Sequence, residues 1–318
     1  MISNRMILAI CCAVLLSGCA VIYCYDNNDY SASITIDGDH FDYEISGFMP
    51  CEYAWRVYSN TEVLDKMYFY LDERYESMNE FDGQKIFAED MMRVLKSRGF
   101  DNVKTIDADE LKDLVLDPSA AAGSGIFFNC GTLPDTVSDH MDDWFANGGT
   151  VFWAGEEYGM YIAHTDGYDE ITEGRPFQGS VNDDTDQNIK EISEFGKATG
   201  FSLKDCCGFG LKKDYPGSLC LSTCSDDYSS ASVLGYNGGR IYIFGDSLNG
   251  TVLCNHTALA EIIICGITEN TIIEANEEFH KGYGSVSGTI DLTLSSGNVV
   301  IVSIGKPYSS WAKSFIVP

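Results

Sequence analysis

WFANGGTVFWAGEEYGMY, residues 144–161, reads as the end of a helix, a Gly-Gly turn, a buried strand, and a tight glycine-flanked turn into another helix. Residues 151–154 are short, apolar on both faces and rich in β-formers, which suits the interior of a parallel sheet. Gly155 and Gly159 bracket Glu156, Glu157 and Tyr158. A strand-to-helix elbow needs glycine on its flanks, because the backbone crowds there, and it presents its middle residue at the edge of the sheet. That middle residue is Glu157.

The flanking sequence alternates between strand and helix signals. Residues 66–71 are strand-like. Residues 84–98 carry the period of an amphipathic helix, with Ile86, Phe87, Met91, Val94 and Leu95 on one face and Gly99 closing it. Residues 103–106 form a strand, Asp107 caps a helix over 108–116 that stops before Pro118, and residues 125–130 form a buried strand. A helix over 136–147 precedes the strand at 151–154. Residues 240–244 give the last core strand and 257–266 the helix after it. Such repetition predicts an α/β domain over 61–268, a mostly parallel sheet flanked by helices in three layers, flavodoxin-like in plan. Beyond it, residues 31–37 and 41–45 alternate around the turn dipeptide Gly38-Asp39, a hairpin pattern, and residues 289–294 and 299–304 alternate likewise. The segments 26–60 and 269–318 are expected to form one small antiparallel β module.

Helix 136–147, the Gly-Gly turn, the strand and the elbow together resemble the class I glutamine amidotransferase-like superfamily, including its trehalose-utilisation-type relatives, over roughly residues 66–267. In that family the elbow reads Gly-x-Cys-x-Gly and its cysteine is the nucleophile. Here Glu157 stands at that position. The family's histidine motif comes after the last core strand, where this chain has Gly245-Asp246-Ser247 and its nearest histidine is His256. The resemblance therefore implies the fold, with the catalytic cysteine and histidine not retained.

The net charge of −28 in 318 residues argues against nucleic-acid binding, which requires a basic footprint. It suits a solvated acidic surface, a cationic partner or a divalent cation. Residues 1–25 read as a targeting segment. Arg5 supplies the positive start and residues 6–16 the apolar run; Leu16-Ser17-Gly18-Cys19 has the form of a lipobox that would lipidate Cys19. The apolar run continues through Tyr25, so an uncleaved signal anchor is a second reading. Both place the domain outside the cytoplasm, on the membrane. Export favours disulfides, and Cys206, Cys207, Cys220 and Cys224 are the close group among the cysteines. Asn249 and Asn255 open sequons for glycosylation.

Residues 164–216 read as an insertion. Its part over 166–190 carries seven acids against Arg175 and Lys190. Asn182, Asp184, Asp186 and Asn188 alternate like part of a calcium loop, but Gln187 takes the place of the glycine such a loop requires. The simpler reading has Asp186 capping a helix over 187–199, and no metal site is assigned.

Ligands of an open parallel sheet sit beyond the carboxyl ends of its strands. Those ends carry Asp72 and Glu73, Asn129 and Cys130, Glu156 and Glu157, and Asp246 and Ser247. Asp72, Asn129, Glu156, Glu157, Asp246 and Ser247 are the candidate ligand-binding residues, and Glu157 and Asp246 the candidate catalytic ones. Paired carboxylates run acid–base chemistry when burial splits their pKa values, hold a divalent cation, or hydrogen-bond sugar hydroxyls; the plainer reading is polar residues at loop starts. Cys130, His164 and His256 read as satisfied or core residues. The expectation is a membrane-tethered extracytoplasmic protein that binds or assembles at the cell envelope, toward a carbohydrate or another protein, without a cofactor. The alternatives are a hydrolase with a rebuilt carboxylate site, with or without a metal, and a purely structural lipoprotein.

Overall fold

The computed structural model describes residues 64–97, 100–182, 210–223 and 227–245, helical residues 256, 259, 260, 262 and 263, and strands at 21–26, 30–37, 40–47, 51–58, 191–192, 272–280, 284–291, 299–305 and 311–316. The chain divides into two compact units, residues 1–60 with 272–318, and residues 61–271.

The first unit opens with β1 (Val21–Asp26), β2 (Tyr30–Asp37), β3 (His40–Gly47) and β4 (Cys51–Tyr58). Asp37 pairs with His40, so β2 and β3 form a hairpin closed by two residues. The register of β1 against β2 runs from Val21↔Ile36 to Asp26↔Ser31. Residues 21–25, read from the sequence as the end of the apolar run, thus lie in a strand, and residues 1–20 lie outside the described residues.

The second unit holds the α/β sheet. Its elements are β5 (Lys66–Tyr70), α1 (Phe81–Ser97), β6 (Val103–Ile106), α2 (Ala108–Val115), α3 (Pro118–Ala121), β7 (Ser124–Phe128), β8 (Leu133–Pro134), α4 (Asp135–Ser138), α5 (Met141–Ala146) and β9 (Thr150–Ala154). Then come β10 (Tyr161–His164), β11 (Gly167–Glu170), β12 (Val181–Asn182), β13 (Glu191–Ile192), β14 (Gly210–Lys212), β15 (Ser218–Thr223), β16 (Tyr228–Tyr236) and β17 (Gly239–Phe244). Five strands run parallel in the order β6-β5-β7-β9-β17, and β16 joins antiparallel beyond β17. The domain is thus α/β with a mostly parallel central sheet.

Alternation across the pleat explains its apolar strands. One face carries Ile126, Phe128, Val151, Trp153, Ile241 and Ile243, packed with Leu111 and Val115 of α2 and Trp144 and Phe145 of α5. The other carries a ladder of near-parallel rings: Phe69 lies 5.6 Å from Phe127, Phe127 5.7 Å from Phe152, and Phe152 4.5 Å from Tyr242. Phe87 of α1 covers that ladder, its ring 5.1 Å from Phe127. Every residue of β7 and β9 is buried because both faces are covered.

Several expectations are corrected. On α1 the buried residues are Gln84, Phe87, Ala88, Met91 and Leu95, whereas Ile86 is 61% exposed. Ile86 is one position out of register with the Phe87–Met91–Leu95 stripe. The helix expected over 136–147 is two short helices, broken at Asp139 and His140. Glu191 and Ile192, expected in a helix, pair as a strand with Thr223 and Ser222. Most consequentially, the elbow leads into no helix. Residues 156–160 turn, and β10 comes next, parallel to β8 and antiparallel to β11. Gly159 at φ +77° bends the chain within the turn, and the residues after Met160, Tyr161 and Ile162, favour strand.

The chain closes with β18 (Ile272–His280), β19 (Gly284–Asp291), β20 (Val299–Gly305) and β21 (Trp311–Ile316). β19 pairs with β3, while β18 and β20 flank β4, all antiparallel. The N- and C-terminal segments therefore pair with each other, in two sheets of four strands.

Candidate functional site

The candidate residues of the sequence lie in the loops that follow the carboxyl ends of the parallel strands. In an open sheet of this order the ligand crevice lies where connections diverge, between β5 and β7. Here residues 76–79 cover that end of β7. Met78 N–H donates to Cys130 O at 3.0 Å, Asn79 Nδ2 to Asn129 O at 2.9 Å, and Thr132 Oγ1 to Glu76 O at 3.0 Å. Gln84, buried at the start of α1, donates to Ser77 Oγ at 2.7 Å and Asn79 O at 2.9 Å. The strap is held from below by the strand end and from behind by the helix.

Asp72 lies just after β5 and its side chain is 3% exposed. Its carboxylate accepts from Arg74 Nη2 at 2.7 Å and Nε at 2.9 Å, and from the N–H of Ala108 at the start of α2 at 3.0 Å. Burial opposes its ionisation, but the Arg74 guanidinium and these N–H donors outweigh it and hold the carboxyl below the usual aspartate value.

Glu157 is 6% exposed at the end of β9. Its Oε2 lies 2.9 Å from Arg175 Nη2, and Arg175 Nη1 donates to Ile171 O at 2.6 Å. The turn between them is tied by Met160 N–H to Glu157 O at 2.9 Å and Ile171 N–H to Met160 O at 2.8 Å. Tyr158, buried beside it, packs its ring against Trp153 at 5.0 Å and Phe177 at 6.3 Å. Glu157 Oε1 and Arg175 Nε are buried without hydrogen-bond partners. A salt bridge with one unsatisfied atom on each side is thus the polar centre of the elbow.

Cys130 is a buried thiol that donates to Thr132 O at 3.0 Å. Burial pushes its pKa up to about 11, against the partly offsetting Thr132 contacts. A buried thiol raised this way holds little of the nucleophilic thiolate at neutral pH. His164 on β10 sits between Asp135 Oδ2 at 2.8 Å and Asp169 Oδ2 at 3.1 Å.

Of the sequence candidates, Asn129 is buried under the strap, its carbonyl taken by Asn79. Glu156 is half-buried and its carbonyl accepts Trp153 Nε1 at 2.5 Å. Cys220 is half-buried on β15, and no disulfide links described cysteines, which corrects the disulfide expectation there. Asp246, Ser247, Cys19, Cys206, Cys207, Cys224, Asn249 and Asn255, with Asp184, Asp186 and Asn188 of the calcium-loop pattern, lie outside the described residues. Arg175 is a site residue that the sequence reading does not select; its signal is its place among the seven acids of 166–190, with Lys190 the only other base. Among the described residues no group of three or more ligating side chains could hold a metal ion. Among them, too, no helix is long and apolar enough to cross a membrane.

No family model matches the chain, and no curated protein matches it. Among solved structures the chain is similar to a β-galactosidase from Rahnella sp. R3, with a TM-score of 0.41 and 14% identity over 80% of this chain and 41% of that one. It is similar to the exo-β-1,4-mannosidase Op5Man5 from Opitutaceae bacterium strain TAV5, with a TM-score of 0.36 and 10% identity over 61% of this chain and 32% of that one. It is also similar to the cytoplasmic protein STM1381 from Salmonella typhimurium LT2, with a TM-score of 0.38 and 13% identity over 63% of this chain and 95% of that one. The chain thus spans less than half the length of either glycosidase. None of these three is described as an amidotransferase, and it is the structure of the elbow that corrects the amidotransferase resemblance. The elbow of that family requires strand, turn and helix around an exposed nucleophile. Here the turn enters a hairpin, and its central Glu157 is buried in an ion pair.

Proposed function

We propose that the chain is a carbohydrate-binding protein of hydrolase-like fold, with the Glu157–Arg175 pair as the polar centre of its site. The observation that carries this reading is the pair of buried, unpartnered atoms, Glu157 Oε1 and Arg175 Nε. Leaving such groups unsatisfied costs about 1–3 kcal/mol each. An acceptor and a donor on the two partners of one ion pair suit a hydroxyl, which accepts and donates at once. Sugars are the ligand class densest in such hydroxyls. Recognition without turnover fits the internal pairing of the rim, where Asp72 is committed to Arg74 and residues 76–79 close the β5–β7 crevice.

The second reading is a glycoside hydrolase, for which the buried carboxylate of Glu157 speaks. Hydrolysis takes two carboxyl groups about 5–10 Å apart across the scissile bond. Glu157 has a guanidinium beside it, so a second carboxylate would have to come from a residue such as Asp246. We further propose lipidation at Cys19 on the extracytoplasmic face, which mass measurement of the purified N-terminus tests.

The deciding experiment is calorimetric titration of the protein with oligosaccharides beside an aryl-glycoside assay, each with Glu157→Gln. Binding that the variant loses, without turnover, supports the first reading. Turnover that falls at least a hundredfold in the variant replaces it with the second. Neither binding nor turnover across the panel sinks both.

A further inference from the structure

We propose that His164 is a pH-dependent clamp: when protonated it holds the β10–β11 hairpin against α4, and so holds Arg175 in place on Glu157. Both ring nitrogens face carboxylate oxygens, Nδ1 toward Asp135 of α4 and Nε2 toward Asp169 of β11, at 2.8 and 3.1 Å. A neutral imidazole has one N–H and one lone pair. Whichever tautomer forms, the bare nitrogen then points its lone pair at a carboxylate. Only the imidazolium donates on both sides, so this geometry belongs to the charged ring.

The elements around β10 leave those two carboxylates dominant. β8 contributes Leu133 and Pro134, which do not ionise. Asp166 lies in the hairpin turn, Tyr168 and Glu170 on β11, and Tyr161 at the start of β10; Glu76 comes from the strap and Tyr75 directly precedes it. The Asp135 hydrogen bond first, and the Asp169 bond second, raise the ring's pKa above the ordinary histidine value of 6.5. A group whose pKa is raised on folding contributes fully below its unfolded value, and the contribution is lost as pH rises through the folded value. The clamp is therefore closed in mild acid and opens with rising pH.

The segment it holds is the one that builds the elbow. β11 ends at Glu170. Ile171 N–H donates to Met160 O, Ile171 O accepts from Arg175, and Arg175 reaches Glu157. Asp169 is therefore six residues from the guanidinium that neutralises Glu157. As a regulation of that site the proposal rests on the reading above, but its test does not read ligand binding.

The test uses the full chain. The His164 ring is titrated by NMR, assigned by its loss in His164→Gln, and amide exchange over residues 167–175 is measured across pH after correction for intrinsic rate. The wild-type midpoint is expected above 6.5, with exchange rising across it; Asp169→Asn lowers both together, and His164→Gln exchanges fast at every pH. A midpoint at or below 6.5, exchange that ignores it, or a His164→Gln profile like the wild type overturns the clamp. If His164→Gln does not fold, Asp169→Asn decides, at a side chain 76% exposed: an unmoved exchange transition overturns the proposal. A clamp that titrates in a protein that binds no sugar leaves this inference standing and sinks only the carbohydrate reading.

Discussion

Arg175 and Glu157 form a buried salt bridge at 2.9 Å, with side chains 13% and 6% exposed. Removing one partner leaves the other charge in a poorly solvated place. Arg175→Met is expected to cost about 3–5 kcal/mol. The double variant Glu157→Met with Arg175→Met is expected to recover most of that loss, since no lone charge remains buried. Denaturant unfolding of the two singles and the double, read as a mutant cycle, checks this. A double variant as unstable as the sum of the singles would remove the pair from the elbow's architecture.

Gly155 and Gly131 meet backbone to backbone. A Cβ on Gly155 would lie 2.9 Å from Gly131 Cα, and Gly155 has φ +119°. Strain and crowding together predict that Gly155→Ala loses about 2–4 kcal/mol. Gly235 on β16 is the control, because a Cβ there meets nothing closer than Gly239 O at 4.0 Å. Gly235→Ala should stay within about 0.5 kcal/mol in the same urea titration.

Asp72→Asn removes a charged acceptor from Arg74 and from the first turn of α2. At pH 7 the loss is expected to be about 1 kcal/mol, below the usual range for charged hydrogen bonds because Arg74 is half exposed and screened by solvent. A carboxyl depressed on folding contributes above its unfolded pKa, about 3.9, and loses the contribution as pH falls through the folded value. The gap between wild type and variant should therefore hold from pH 7 to about 4 and close below it. A gap that widens in acid contradicts the assignment.

Cys130 should resist alkylation. Its thiol is buried, donates to Thr132 O and is pushed up to about 11 by that burial. At pH 8 iodoacetamide should leave the Cys130 peptide unmodified in the native protein and label it fully in denaturant, as read by peptide mass spectrometry. Fast native labelling would restore a reactive thiol at the end of β7.

The α/β alternation is legible because strands buried on both faces must be apolar throughout, as in residues 126–128 and 151–154. The hairpin at β2–β3 is legible from Gly38-Asp39. Asn237-Gly238 carries an equally local signal: both residues have positive φ, 47° and 94°, and they join β16 to β17, Tyr236 opposite Gly239. The elbow misleads. Gly-x-x-x-Gly specifies a turn but not the element after it, and pairing of Ile162 and Ala163 with Leu133 and Pro134 is a contact across nearly thirty residues.

By itself the sequence determined the local chemistry of this protein: which runs are apolar, where the chain turns, and that a glutamate stands at the end of β9. Tertiary structure alone decided what those groups do. It placed Arg175 on Glu157, Arg74 and the start of α2 on Asp72, two aspartates on either side of His164, and the strap over the β5–β7 crevice. The physical reason is that a carboxylate's role depends on its partners and its access to water. Those are set by contacts such as that of Glu157 with Arg175, for which residue spacing carries no rule.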